Sequence, residues 1–305
     1  MAPSRRYVGR FAPSPTGPLH FGSAVAAVAS FLDARACGGQ WLLRIEDLDP
    51  PREDPAAPLI IGEQLKSLGL HWDGEILFQS SRHDAYTEAL AHLEQANLVF
   101  PCTCARRSTP AIYPGTCRER TFADTPDDYA IRVRVDDRKL TIIDRIFGEH
   151  TWQLDADVGD FIVRRKDGLF AYQLAVIVDD AFQGVTDIVR GIDLLESTPR
   201  QAYLAQCLNQ QIPHYAHFPV IAGKDGHKLS KQAHAAPIHK DDSLRVIMAA
   251  LEALGQPVPG TTGTGSREKD IDRLLSGAVD NWDLARVPRS GSVPLDSLST
   301  TAFDD

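Results

Sequence analysis

The stretch Arg6-Tyr7-Val8-Gly9-Arg10-Phe11-Ala12-Pro13-Ser14-Pro15-Thr16-Gly17-Pro18-Leu19-His20-Phe21-Gly22-Ser23 decides the fold of this chain. Arg6 to Phe11 reads as a short strand. Ala12 to Pro18 then carries three prolines and a glycine, a loop composition that neither a helix interior nor a central strand accepts. From Phe21 to Ala36 the small and apolar residues predict a helix, which Gly38-Gly39 terminate because glycine takes left-handed backbone conformations without steric cost. Gln40 to Ile45 is a second apolar strand. Two strands joined through one helix form a βαβ unit, whose crossover is right-handed and whose strands are parallel. Ligands of such sheets sit at the carboxyl ends of the strands, where this chain places its proline-rich loop.

Outward from that unit, Ser81 to Asn97 reads as a helix, with Ser81 and Asp84 spaced as a capping box and Tyr86, Leu90 and Leu93 on one face. From Pro101 to about Gly168 short strands (Tyr129 to Val135, Thr141 to Phe147, Phe161 to Arg165) alternate with turns, as in an antiparallel insertion. Pro101 to Phe170 holds 12 Lys plus Arg and 12 Asp plus Glu, so the acidity of the chain lies elsewhere. Leu174 to Val178 and Asp187 to Arg190 resume β-like runs, and Pro199 to Asn209 resumes a helix. Gly255 to Ser266 has linker composition, and Arg267 to Leu275 is a weak helix before a Pro/Ser-rich tail. The expected fold is therefore α/β: a Rossmann-type parallel-sheet nucleotide-binding domain, split by an insertion, with a short C-terminal appendage. Its expected segments are 1–100, 101–168, 169–240 and 241–305.

With 305 residues, 43% apolar and 24% charged, the chain is an ordinary globular one, large enough for roughly two domains. Its longest apolar run, Ala24 to Leu32, is too short to cross a bilayer, so no membrane association is expected. Met1 to Arg6 has no export signature behind it, which leads to the expectation of a cytoplasmic protein. A net charge of −9 argues against general, charge-driven binding of polyphosphates, so any nucleic acid must meet a local patch such as Arg106, Arg107, Arg118 and Arg120. Cys102, Cys104 and Cys117 fall within sixteen residues, a spacing that reads as metal ligation in a reducing compartment, whereas Cys37 and Cys207 stand apart in apolar helices as core residues. Three reduced, metal-free thiols are the other reading.

Two segments carry the chemistry. In the first, a helix N-terminus receives an anion, His20 donates to a phosphate, and Gly22 lets a flat base or ribose approach the backbone. The second, Gly223-Lys224-Asp225-Gly226-His227-Lys228-Leu229-Ser230-Lys231-Gln232, offers Lys228 and Lys231 to neutralise charge on a triphosphate. Each alone is also readable blandly, as a proline-stiffened connection and as a solvated lysine turn.

Together they resemble the paired HIGH and KMSKS signatures of class I aminoacyl-tRNA synthetases. Arg10-Phe11-Ala12-Pro13-Ser14-Pro15-Thr16-Gly17, Leu43-Arg44-Ile45-Glu46-Asp47-Leu48-Asp49, Tyr172 through Asp180 and Gly184 through Gly191 extend the resemblance to the glutamyl-tRNA synthetases, over residues 6 to 240. The resemblance implies ATP as a substrate, with Mg²⁺, bound over Gly22 between His20 and Lys228 and Lys231. It assigns L-glutamate to Arg10, Phe11, Ala12, Pro13, Ser14, Glu46, Tyr172 and Arg190. Charge agrees: two arginines and a glutamate oppose two carboxylates and an ammonium, and an arginine forks onto a carboxylate as it cannot onto an amide.

Of the 305 residues only 73 follow Gln232, too few for the helical anticodon-binding region of full-length members. The length, and the insertion opening with Cys102-Thr103-Cys104, instead resemble the truncated paralogues of the family. These place glutamate on the cyclopentenediol of queuosine in the anticodon of tRNA(Asp). For the structural Zn²⁺ the resemblance adds Tyr113 to Cys102, Cys104 and Cys117 as fourth ligand, no histidine lying between Phe100 and Glu149. Two rivals stay open here: a compact synthetase charging a terminal ribose, and a non-catalytic paralogue that binds glutamate or nucleotide.

Overall fold

The computed structural model describes residues 6–105, 107, 109–223, 237–260 and 266–298. The opening unit consists of β1 (Val8–Phe11), α1 (Phe21–Ala36) and β2 (Gln40–Ile45), with β1 and β2 parallel from Val8 opposite Gln40 to Phe11 opposite Leu43. After α1 the chain reverses at Gly38, whose φ of 63° is a conformation glycine adopts freely. Then α2 (Ala57–Ser67) leads to β3 (Leu77–Phe78), parallel to β2, and α3 (His83–Gln95) leads out of the sheet.

The inserted region has two antiparallel parts. One is a three-stranded sheet of β4 (Val99–Cys102) and β5 (Ala130–Val133) with β8 (Phe161–Arg164), and the other a hairpin of β6 (Lys139–Asp144) and β7 (Gly148–Gln153). After it come α4 (Tyr172–Phe182), β9 (Asp187–Gly191), α5 (Thr198–Cys207) and β10 (His214–Phe218), with β9 and β10 parallel. At the junction the Thr186 N–H donates to the Val8 carbonyl and the Val8 N–H to Thr186 Oγ1, both at 2.9 Å. The spatial order is thus β3-β2-β1-β9-β10, and the gap between β1 and β9 is the switch point where such sheets bind ligands.

Each face of the sheet is covered. Phe31 of α1 meets Trp41 of β2 edge-on at 5.3 Å on one side. On that side too lie α6 (Ser243–Ala253) and α7 (Arg267–Asp280), which bury Val246, Ile247, Leu251, Ile271 and Leu274 in the same core as α1. A short parallel pair, β11 (Val220–Ala222) with β12 (Ser292–Pro294), ties the end of the described chain to the segment after β10. Helices α3, α4 and α5 build a second core with the inserted sheet, and α4 meets the parallel sheet through Asp180 against Arg10 and Arg44. Among the described residues no helix is long and apolar enough to cross a membrane.

Several local expectations are corrected. Leu174 to Val178 is helical, within α4, because Leu174, Ala175, Val176 and Ile177 are all buried, and a helix buried around most of its circumference shows the same unbroken apolar run as a buried strand. No capping box forms at α3: the Gln79–Arg82 turn precedes it, and the Ser81 hydroxyl donates instead to the Phe78 carbonyl at 2.7 Å. The last long helix runs to Asp280, five residues beyond Leu275, as its buried positions Ile271, Leu274, Leu275 and Ala278 keep helical spacing. Neither Cys37 nor Cys207 is a buried core residue, for Cys37 is exposed at the end of α1 and Cys207 half-buried at the end of α5.

Candidate active site

The proline-rich loop cannot be held through N–H groups at Pro13, Pro15 and Pro18, because proline has none. Acceptors hold it instead: the Pro13 carbonyl takes the Glu46 N–H at 3.0 Å and the Pro15 carbonyl the Asp54 N–H at 2.8 Å. Gly17 turns the chain with φ 131°, a region nearly closed to other residues. Leu19 is then clamped by Gln64 of α2, which accepts its N–H at 2.7 Å and donates to its carbonyl at 3.3 Å. His20 begins α1 as its N-cap, with Nδ1 accepting the Ser23 N–H at 3.3 Å. With Nδ1 accepting, the proton of the neutral ring sits on Nε2.

Between the carboxyl ends of β1 and β9 opens a cavity of about 450 Å³. Arg10, Phe11, Ala12, Pro13, Ser14, His20, Gly22, Glu46, Tyr172 and Arg190, drawn from separate parts of the chain, all line it. Lys228 and Lys231 lie outside the described residues. The chain on either side of that segment flanks the cavity: Val220 and Ile221 line it, and Pro237 bridges to His20 while the Ile238 N–H donates to the Leu19 carbonyl at 3.0 Å.

The charged walls differ. Arg10 is buried and forks onto Asp180 of α4, Nε to Oδ1 at 3.2 Å and Nη2 to Oδ2 at 3.4 Å. Arg44 joins the same carboxylate at 2.8 Å and reaches Glu46 at 3.5 Å. Burial raises the Asp180 carboxyl, but Arg10 and Arg44 outweigh it and hold the group below the usual carboxylate range. For Glu46 burial wins, and its carboxyl stands above that range in spite of Arg44 and Arg10.

Arg190 is equally buried, yet its hydrogen-bond acceptors are all neutral: His217 Nε2 at 3.0 Å, Gln201 Oε1 at 2.7 Å, Thr198 Oγ1 at 2.8 Å and the Leu194 carbonyl at 3.3 Å. The face of Tyr215, 5.1 Å from the guanidinium carbon, adds a cation–π contact. Among the described residues no carboxylate forms an ion pair with it. Behind it His217 Nδ1 lies 2.7 Å from Asp144 Oδ2. Burial keeps His217 below the ordinary imidazole range although Asp144 pulls the other way, so the ring is neutral near pH 7.

A second cluster lies in the inserted region, where the Sγ atoms of Cys102, Cys104 and Cys117 are within 4.8 Å of one another. Cys104 and Cys117 stand 3.6 Å apart, and Tyr113 Oη lies 3.5 Å from both Cys102 and Cys104. A tetrahedral site with metal–sulfur bonds of about 2.3 Å has edges of about 3.8 Å, so these donors fit a metal with little movement. Burial raises the Cys117 thiol, but Tyr113 and the Thr103 backbone overcome this and bring it down to about 6. Arg132 donates to Cys102 at 3.3 Å and stacks over Tyr113 at 3.9 Å, placing a cation beside the cluster.

The family model described as tRNA synthetases class I (E and Q), catalytic domain, matches residues 7–109 and 114–262. The chain belongs to that family. A relative from Pseudomonas fluorescens Pf-5 named glutamyl-Q tRNA(Asp) synthetase is 50% identical over 299 residues, covering 97% of this chain and 98% of its own. The protein of that name from Pseudomonas aeruginosa PAO1 is 48% identical over 295 residues, covering 96% and 99%. Among solved structures, a glutamate tRNA ligase from Elizabethkingia meningosepticum in complex with its amino acid superposes with a TM-score of 0.78, covering 95% of this chain and 67% of that one. At 23% identity that likeness speaks for the fold.

Sequence reasoning gave no role to Arg44 and Asp180, although both stand inside the motifs it quoted. Their signal was present as two charges in apolar runs, which burial obliges to pair. His217 and Asp144 had no such signal, since they stand 73 positions apart, Asp144 in the inserted hairpin and His217 in β10.

Proposed function

We propose that this chain activates L-glutamate with ATP as glutamyl-adenylate and transfers it to the cyclopentenediol of queuosine in the anticodon of tRNA(Asp). The observation that carries glutamate is Arg190, a buried guanidinium at the cavity wall with only neutral acceptors, which leaves its charge for a ligand carboxylate. Arg10 lines the cavity beside it with its charge already shared with Asp180, and Glu46 opposes the ammonium. Near-full-length similarity to relatives named for glutamyl-Q tRNA(Asp) synthesis supports the acceptor.

In this reading ATP lies over Gly22, with His20 beside its phosphates and the charges of Lys228 and Lys231 neutralising them. Mg²⁺ accompanies the ATP as counter-ion. A carboxylate oxygen of glutamate attacks the α-phosphorus and pyrophosphate leaves; a hydroxyl of the diol then attacks the acyl carbon and AMP leaves. No side chain acts as nucleophile, so the rate comes from positioning and charge neutralisation. The reaction is cytoplasmic, which suits closely spaced cysteines without a disulfide.

Zn²⁺ is the metal we assign to Cys102, Cys104, Cys117 and Tyr113, where it would cross-link the start of the insertion. Metal analysis should find about one zinc per chain, and Tyr113→Phe should release it faster to chelator while the three thiolates still bind. Zinc-free protein from a chelator-free preparation would remove the site.

The acceptor is tested with labelled glutamate and three RNAs: tRNA(Asp) containing queuosine, the same tRNA lacking it, and tRNA(Glu). Alkali-labile label confined to the first is expected. Equal labelling of the first two, or label on the terminal adenosine of tRNA(Glu), would replace this reading with a compact ordinary synthetase.

A further inference from the structure

We propose that His217 and Asp144 are positioning residues which aim the Arg190 guanidinium at a ligand carboxylate, Asp144 acting from the inserted hairpin. This rests on the reading of Arg190 as glutamate's partner and goes beyond it. Arg190 Nε–H donates to His217 Nε2, so that nitrogen carries no proton and the ring proton is on Nδ1, where it donates to Asp144 Oδ2. Asp144 is itself fixed: its Oδ1 accepts the Ile146 and Phe147 N–H groups at 2.9 and 2.8 Å, and its Oδ2 the His217 N–H at 3.1 Å. Both side chains are closed to solvent, at 0% and 1% exposure.

The imidazole acts as a spacer. Asp144 is near enough to offset the burial of a positive charge, yet one ring too far away to occupy the guanidinium. A carboxylate in direct contact, such as Asp180 on Arg10, would leave an incoming anion facing a neutralised group. With the spacer, Arg190 keeps most of its charge for the ligand, which rewards a carboxylate over an amide of the same shape. Strand β6, which ends at Asp144, thereby contributes to discrimination of glutamate from glutamine without touching either.

The test uses the full chain and glutamate-dependent ATP–pyrophosphate exchange, titrated with glutamate and with glutamine, together with melting curves. In Asp144→Asn the amide donates to His217 Nδ1 and forces the ring proton onto Nε2, donor against donor at Arg190. Its KM for glutamate should rise at least tenfold, with kcat at saturating glutamate and the KM for ATP within twofold, and the preference for glutamate should fall in parallel. His217→Ala should behave alike, and His217→Gln, whose amide oxygen accepts from Arg190, should recover most of the loss. If Asp144→Asn does not fold, the contrast between the two His217 variants decides on the same readout. Folded variants with unchanged KM, or with kcat and both KM values shifted together, overturn the proposal. Arg190→Met separates the two levels: unchanged glutamate KM in this variant overturns the reading of the site itself, whereas a large rise there beside normal His217 and Asp144 variants overturns the relay alone.

Discussion

Two buried arginines face one cavity and are held in opposite ways. Arg10 shares the Asp180 carboxylate with Arg44, so its charge is balanced inside the protein. Arg190 rests on an imidazole, an amide, a hydroxyl and a carbonyl. The first arrangement joins β1, β2 and α4 into one unit and is a structural element that also lines the site. The second keeps a charge in reserve and, in the function proposed above, serves recognition. Residue type and burial are the same in both, so the partner alone separates the roles.

The sharpest way to break this contrast is Asp180→Asn. It leaves Arg10 and Arg44 buried without their shared carboxylate and should cost about 3–5 kcal/mol, read from urea unfolding. Unaltered stability would mean that the paired wall carries no structural weight. Arg190→Met should do the reverse, lowering kcat/KM for glutamate in pyrophosphate exchange by about 2–5 kcal/mol, roughly thirtyfold or more, while the melting temperature moves by a few degrees at most. A variant that lost stability but kept its glutamate KM would abolish the distinction.

How much of this was legible in the sequence depends on distance along the chain. The β1–α1–β2 unit was readable because its apolar runs, prolines and glycines act within a few residues. The cavity residues were readable because they stand in local motifs, and the structure brings the described ones together. The charge state of each wall was not readable, for it is set by contacts such as Arg10 with Asp180 and Asp144 with His217 that only the folded topology creates. Helix α4 was misread for a related reason: burial from several sides erased the periodicity that would have identified it.

Two smaller effects sharpen the contrast further. Lys231→Ala should slow activation more than tenfold, about 1.4 kcal/mol, with little change in glutamate KM, because a charge acting on developing phosphate negativity favours the transition state over the ground state. A parallel change in glutamate KM would place Lys231 with the amino-acid walls instead. The smallest effect concerns pH. Glu46 is raised by burial, and it attracts the substrate ammonium only when ionised, so glutamate affinity should be full above its elevated pKa and decline as pH falls through it. A severalfold rise in glutamate KM on acidification, absent in Glu46→Gln, is the expected profile. A slope that persists in Glu46→Gln would assign the titration to another group.

The loop of Pro13, Pro15 and Pro18, docked through its carbonyls onto the Glu46 and Asp54 amides, has a thermodynamic consequence of its own. Its backbone has few alternative conformations even before folding, and its anchors are made when β2 takes its place. The conformational entropy of ordering this wall is therefore surrendered as the chain folds, leaving little to be lost when the amino acid arrives. Glutamate should enter a surface already in its bound shape, and calorimetry should find an association with only a small ordering penalty from the Ala12–Pro18 wall.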